Sequence, residues 1–340
     1  MHPLVLTTDQ LATIAEVFEK RVLEGLSSWG RKIRCMPTYI PLEKRQQSGE
    51  TAVLDLGGSN LRAGIASCKE GEWQLLERSE TIKMPWQRNI PFSRDDLLDI
   101  QASALASLNW RKEMPLGYCF SYPAEPTQDR DVELLKWAKG IDVPGTVGRK
   151  MGEMLLSHLE MTHPNLTCSG VTVINDTVAA LIGGMADSEE TTTIGLIAGT
   201  GTNMAAAFSV ADMPKLKIVE SQLEQLPVNL ESGNFAPPFL TNWDNIVDRQ
   251  SNNPGEQLLE KAVSGAYLGY IFKSIHPNTN IDPSQGGAGL VKILINPSQY
   301  PEEWVDSAEM IYHRSADLVA ALLAGLIRLQ FKLFGKPGIR

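Results

Sequence analysis

Leu54-Asp55-Leu56-Gly57-Gly58-Ser59-Asn60-Leu61-Arg62 joins two apolar runs through a pair of glycines. The run before it, Ala52 to Leu56, is short and apolar, as a buried strand is, and Leu61 to Ala66 resumes the pattern. Gly57-Gly58 between them predicts two antiparallel strands around a tight glycine turn. The turn brings together a carboxylate at the end of a strand, two glycines, small polar residues and an arginine. Glycines let backbone N–H groups approach an anion closely, a carboxylate suits hydrated Mg²⁺, and a guanidinium suits phosphate oxygens. An ordinary hairpin with a solvated aspartate has the same composition, and this segment alone favours neither reading.

A second turn of the same kind follows the apolar run at 193–198, in Gly199-Thr200-Gly201-Thr202-Asn203. Its Gly-x-Gly spacing matches part of a dinucleotide fingerprint, but Met204 holds the third glycine position and no helical pattern follows, so the Rossmann reading fails. No GxxxxGK[ST] sequence is present, which excludes a P-loop kinase. What remains is strand, glycine turn with hydroxyls, and strand again. Between the two turns lies Val173-Ile174-Asn175-Asp176-Thr177, where an aspartate ends a third buried strand and opens a helix. On position alone Asp176 or Thr177 caps that helix. Two phosphate-sized turns with a carboxylate between them are what a two-lobed nucleotide cleft requires, with both turns converging on Asp176.

In this order the three segments resemble the first phosphate-binding, the catalytic and the second phosphate-binding motifs of the hexokinase family. Further matches fall in the family's order at Met36-Pro37-Thr38-Tyr39, Phe120-Ser121-Tyr122-Pro123, Trp137-Ala138-Lys139-Gly140 and Glu231-Ser232-Gly233-Asn234-Phe235. Asn253-Pro254-Gly255 and Ser264-Gly265-Ala266-Tyr267-Leu268-Gly269 continue the series, which covers the chain from its first helix to about Leu329. Any one of these is weak; the ordered set is specific.

The resemblance implies an α/β protein with two ribonuclease-H-like lobes, the actin-like ATPase fold, around a central cleft. It implies a hexose kinase that uses ATP and Mg²⁺ to phosphorylate the 6-hydroxyl, glucose being the first candidate. Carried over to this sequence, Asp176 is the catalytic base, and Ser121, Lys139, Asn175, Asp176, Asn203, Glu231 and Glu260 contact the sugar. Asp55 holds the metal, largely through water, and Gly57, Gly58, Ser59, Asn60, Arg62, Gly199, Thr200 and Gly201 cradle the phosphates. Taken singly, Glu231, Glu260 and Lys139 are ordinary solvated charges and Ser121 a structural hydroxyl; only their place in the series raises them. Carboxylates and amides suit a hexose because each sugar hydroxyl both donates and accepts.

The remaining composition agrees. With 340 residues, 43% of them hydrophobic, the chain can fill two cores. The expected division is 1–49, an N-terminal helix packed on the large lobe; 50–174, the small lobe; and 175–340, the large lobe. Crossings between lobes at 48–51 and 174–177 would serve as a hinge by which the sugar triggers closure against water. A net charge of −9 removes the basic footprint of nucleic-acid binding. Cys35, Cys68, Cys119 and Cys168 form no CxxC pair, and the five histidines are scattered, so neither a disulfide framework nor a zinc site is expected. Neither a leader peptide nor a membrane span is legible, and a cytoplasmic protein is expected.

Helices are predicted at 8–28, 95–109, 145–161, 177–186, 254–275 and 306–334, with further strands at 117–122, 171–174, 193–198 and 204–208. Residues 85–94 and 227–254 read as long polar loops. Three positions depart from the family: Ala138 where threonine is usual, Ser232 for tryptophan and Tyr270 for glutamate. After Gly335 and Pro337, Ile339 starts a strand that ends at once, whereas the family continues with that strand, a glycine turn for adenosine and a helix. Three explanations stand open: a truncated chain, a dimer or partner that completes the lobe, or a hexose-binding regulator without kinase activity. Another sugar kinase with a different hexose preference is the neighbouring alternative.

Overall fold

The computed structural model describes residues 2–42, 48–85, 92–137, 141–186, 193–216 and 224–335. Helices are α1 (Thr8–Ser27), α2 (Arg94–Ala106), α3 (Met151–Thr162), α4 (Asp176–Ala186) and α5 (Asn242–Gln250). They continue with α6 (Leu258–Val263), α7 (Gly265–Ile275), α8 (Gly286–Ile295) and α9 (Glu302–Phe334). Strands are β1 (Met36–Pro37), β2 (Gly49–Leu56), β3 (Asn60–Lys69), β4 (Glu72–Arg78), β5 (Ile82–Lys83) and β6 (Met114–Phe120). The later ones are β7 (Ala124–Pro126), β8 (Val132–Leu134), β9 (Cys168–Ile174), β10 (Ile194–Ala198), β11 (Thr202–Ser209) and β12 (Gln225–Asn229).

The chain divides into two compact units, one of residues 1–35, 187–224 and 228–340, the other of residues 36–186 and 225–227. The divisions fall at 35/36 and 186/187 and on either side of 225–227. Gly49 and Glu50 lie in β2, and β9 runs into α4 through Asn175 alone.

In the unit centred on residues 36–186 the sheet order is β4-β3-β2-β6-β9, with β5 beside β3. The β2–β3 and β3–β4 pairs are antiparallel, and β6 and β9 run parallel to β2. Alternation sorts the side chains. Leu54, Leu56, Tyr118, Phe120 and Val173 point into a core completed by Leu97, Leu98, Ala102 and Leu105 of α2 and Met151, Leu155 and Leu159 of α3. Asp55, Cys119 and Ile174 align across the three parallel strands and therefore share the opposite face. Asp131 fixes the start of α3: its carboxylate accepts from the N–H groups of Gly152 and Glu153, both at 2.8 Å.

In the other unit β10 and β11 form the second predicted hairpin, closing at Ala198↔Thr202. Thr7 caps α1 in a reciprocal box with Gln10. That helix lies on α9, where Gly325 leaves room for Ala15 and where Glu19 meets Arg328 and Lys332. Leu268, Ile271 and Phe272 of α7, Leu290 and Ile293 of α8 and Ala308 and Ile311 of α9 form a further core.

Three predicted elements are corrected. The 254–275 helix is two, α6 and α7, broken at Ser264. The 145–161 helix begins at Met151, because Gly145 and Gly148 hold positive φ angles of 80° and 73°. Within the predicted loop 227–254 lie the end of β12 and all of α5. The predicted loop at 85–94 falls mostly on 86–91, outside the described residues, as do Pro337 and Ile339.

Candidate active site

The candidate residues assemble in two groups, one in each unit. The first stands at the carboxyl ends of β2, β6 and β9. Asp55 is the penultimate residue of β2, and its Oδ2 accepts from Arg62 Nη1 at 3.2 Å across the hairpin. The turn that follows is closed by Gly57 N–H donating to Asn60 O at 2.9 Å and buttressed by Tyr122 Oη donating to Gly57 O at 3.1 Å. Tyr122 is held edge-on to Trp137, with ring centres 4.7 Å apart. Ser121 sits just beyond β6, its N–H bonded to Leu56 O at 3.2 Å. Lys139 lies outside the described residues.

Asn175 and Asp176 join β9 to α4. Both side chains serve the helix start: Asn175 Oδ1 accepts from Thr177 N at 2.9 Å and Asp176 Oδ1 from the same N–H at 2.7 Å. Capping and chemistry are thus compatible, since only one oxygen of Asp176 is committed to the helix. Cys119 reports where the two carboxylates stand. Burial first, then the charges of Asp55 and Asp176, push its thiol far above the ordinary value, while a bond from Ser121 opposes the shift. Asp55 and Ser121 therefore lie against this side chain, and Asp176 is near enough for its charge to act on it.

The second group belongs to β11, the segment after β12, and α6. Gly199 N–H donates to Gly201 O at 2.9 Å, closing the turn, and the carbonyls of Gly199 and Thr200 accept from Gly265 and Ala266 at the start of α7. Glu260 leans over this turn: its Oε2 accepts from Thr202 N at 3.1 Å and its Oε1 from Gln257 Nε2 at 3.2 Å. A Cβ on Gly201 would lie 2.7 Å from Glu260 Oε2, so any larger residue there would push the Glu260 carboxylate aside. Asn203, Asn229 and Glu231 form a chain of side-chain hydrogen bonds, 2.7 Å from Asn203 Nδ2 to Asn229 Oδ1 and 2.9 Å from Asn229 Nδ2 to Glu231 Oε1. Glu231 itself is in the left-handed region, φ 57° and ψ 45°.

The residues fit the groups that the sequence implies. Among the described residues the N–H groups of Gly58, Ser59, Thr200 and Gly201 meet no protein acceptor, the condition of an anion cradle. A half-exposed carboxylate, Asp55, supplies the hard oxygen that Mg²⁺ prefers. Sequence patterns missed Asn229, Gln257, Tyr122 and Cys119. For Asn229 a signal existed, a lone amide within the apolar run Leu226–Leu230. No helix among the described residues is long and apolar enough to cross a membrane.

Comparison with known proteins agrees with this geometry. Two hexokinase family profiles match in succession, the first over residues 1–186 and the second over 193–278. Hexokinase-1 of Saccharomyces cerevisiae is 30% identical over 284 residues, 79% of this chain and 58% of that protein. Human hexokinase-2 is 30% identical over 290 residues, 81% of this chain and 31% of that protein. The chain thus spans about half or less of the length of these relatives. In structure it matches the Schistosoma mansoni hexokinase complexed with glucose, with a TM-score of 0.80, 24% identity and coverage of 99% of this chain and 86% of the other. The fold is that of the actin-like ATPase sugar kinases, and the chain belongs to the hexokinase family.

Proposed function

We propose that this protein phosphorylates a hexose, glucose first, at its 6-hydroxyl, with ATP as the donor. The observation that carries the proposal is the convergence of Asp55 and Asp176 on Cys119, which puts two carboxylates of different duty at the ends of the two strands that flank β6. Support also comes from the yeast and human relatives, both hexokinases, and from the glucose bound in the Schistosoma mansoni structure.

Asp176 accepts the proton of the sugar 6-hydroxyl, and the freed oxygen attacks the γ-phosphorus in line as the bond to ADP breaks. Its position favours this role, because Thr177 N–H and Oγ1 hold one carboxylate oxygen and so set the direction of the other. Ser121, Lys139, Asn175, Asn203, Glu231 and Glu260 orient the ring hydroxyls. Asp55 holds Mg²⁺ through water, and the ion supplies positive charge against the phosphates when bound. Gly57 to Asn60 and Gly199 to Gly201 offer N–H groups to phosphate oxygens, joined by Arg62 and the Thr200 hydroxyl. Orientation provides most of the acceleration in this chemistry.

ADP release with glucose and Mg-ATP, read for this chain and for Asp176→Ala, tests the proposal. Turnover is expected to fall by about 10²- to 10⁴-fold, the usual contribution of a positioned base. Glucose affinity, read by calorimetry, is expected to stay within about threefold, since the variant removes a group needed most in the transition state. An unchanged turnover in Asp176→Ala would remove Asp176 from the mechanism.

A further inference from the structure

We infer that Asn229 is a positioning residue for sugar recognition: held in one orientation by the Asn203 amide, it fixes the direction in which the Glu231 carboxylate is presented to the hexose. This rests on the proposed role of those two residues as sugar contacts.

Asn229 is buried, only 3% exposed, as the last residue of β12, where Leu226, Pro227 and Val228 are buried too. An amide in such a place is costly unless its donors and acceptors are used. Here they are used in one direction only. Asn203 Oδ1 accepts from Met204 N at 2.8 Å and from Ser232 N at 3.1 Å. A flipped amide would set its NH₂ group against two N–H donors, so Asn203 Nδ2 must face Asn229 Oδ1, 2.7 Å away. With that oxygen committed, Asn229 presents its NH₂ to Glu231 Oε1 at 2.9 Å. Two backbone N–H groups thereby determine, through two amides, where a carboxylate points.

The same oxygen of Asn229 also accepts from the N–H of Glu231 at 3.3 Å. That bond reaches a residue in the left-handed region, which a non-glycine residue occupies only when its surroundings hold it there. Asn229 therefore governs the backbone and the side chain of Glu231 together. One hydrogen of Asn203 Nδ2 goes to Asn229, and the other is left for a ligand hydroxyl. A ring hydroxyl that meets both groups finds a donor and an acceptor whose identities cannot exchange, which is the condition for reading one epimer against another.

Asn229→Asp keeps the shape and the acceptor for Asn203 but loses the donor toward Glu231. It is compared with Glu231→Gln and with the double variant Asn229→Asp/Glu231→Gln, in which a hydrogen bond re-forms with its direction reversed. The readouts are glucose, mannose and galactose affinity by calorimetry, the KM for Mg-ATP and the thermal midpoint, all on the whole chain. Asn229→Asp is expected to weaken glucose by about 10- to 100-fold, as the loss of a hydrogen bond to a charged group does. The preference for glucose over its epimers should narrow, and the KM for Mg-ATP should stay within about twofold. The double variant should regain thermal stability without regaining glucose affinity.

A double variant that regains both would reduce Asn229 to a structural role and overturn the inference, even if Asn229→Asp alone fails to fold. So would Asn229→Asp binding all three sugars as the wild type does while Glu231→Gln weakens them. If Glu231→Gln itself leaves sugar binding intact, the sugar-contact assignment falls first and the inference with it.

Discussion

Asp55 of β2 stands directly beside Cys119 of β6 in the parallel ladder, and Asp176, just past β9, places its charge on the same thiol. Burial and two negative charges make this the least reactive environment for a thiolate. Iodoacetamide at pH 8 should label Cys119 at least about tenfold more slowly than a thiol of ordinary pKa near 8.5 in the unfolded chain. Peptide mass spectrometry against time measures it. Labelling at the unfolded rate would mean that the two carboxylates do not face this side chain.

Gly201→Ala should displace Glu260. The added Cβ would meet Glu260 Oε2 at 2.7 Å, a distance that no packed pair of such atoms keeps, and Thr202 N–H would lose its acceptor. Glucose affinity is expected to fall by about tenfold or more, with a loss of about 1 kcal/mol in stability for the disturbed hydrogen bond. Calorimetry and urea unfolding separate the two effects.

Arg314→Met should be severely destabilising. Arg314 Nη2 lies 2.7 Å from Asp244 Oδ2, and both side chains are almost completely buried. The same oxygen of Asp244 caps α5 through Thr241. Removing the guanidinium leaves a buried charge, which costs about 3–5 kcal/mol. The urea midpoint checks this, and Arg314→Met/Asp244→Asn should recover part of the loss.

Lys215 predicts a pH dependence. Its ammonium donates to the carbonyls of Gly25, Arg34 and Cys35 at 2.6 to 2.8 Å, lies over the Trp29 ring, and has no carboxylate partner among the described residues. Burial lowers its pKa to about 8, with the Cys35 thiol opposing. Between about pH 8 and the ordinary lysine value near 10.4, the unfolded chain holds a proton that the folded chain has released. Stability from this group therefore rises with pH through that window and is lowest below it. Urea midpoints at pH 7.5 and 9.5, compared with those of Lys215→Met, isolate the effect: the wild type should gain more, or lose less, than the variant on going to pH 9.5.

Much of the site was legible because its parts are local. A hairpin that closes on Gly57 or Gly199, and a helix that opens at Asp176, depend on residues adjacent in sequence, and propensity and spacing register them. The break at Ser264 and the helix α5 were not legible. Residues 254–275 keep an apolar pattern through the break, whose cause is the contact of Gly265 and Ala266 with the carbonyls of Gly199 and Thr200, more than sixty positions earlier. In the same way α5 depends on Asp244, which Arg314 secures from seventy residues away.

The sequence by itself determined the chemistry on offer: two glycine turns, a carboxylate at each of two strand ends, and an ordered set of motifs belonging to one family. Tertiary structure alone decided which groups meet, because strand register places Asp55 beside Cys119 and burial forces Asn229 to find partners in Asn203 and Glu231. Turns are written in neighbouring residues; register and the orientation of a buried amide are settled only when distant segments meet and every polar group must be satisfied.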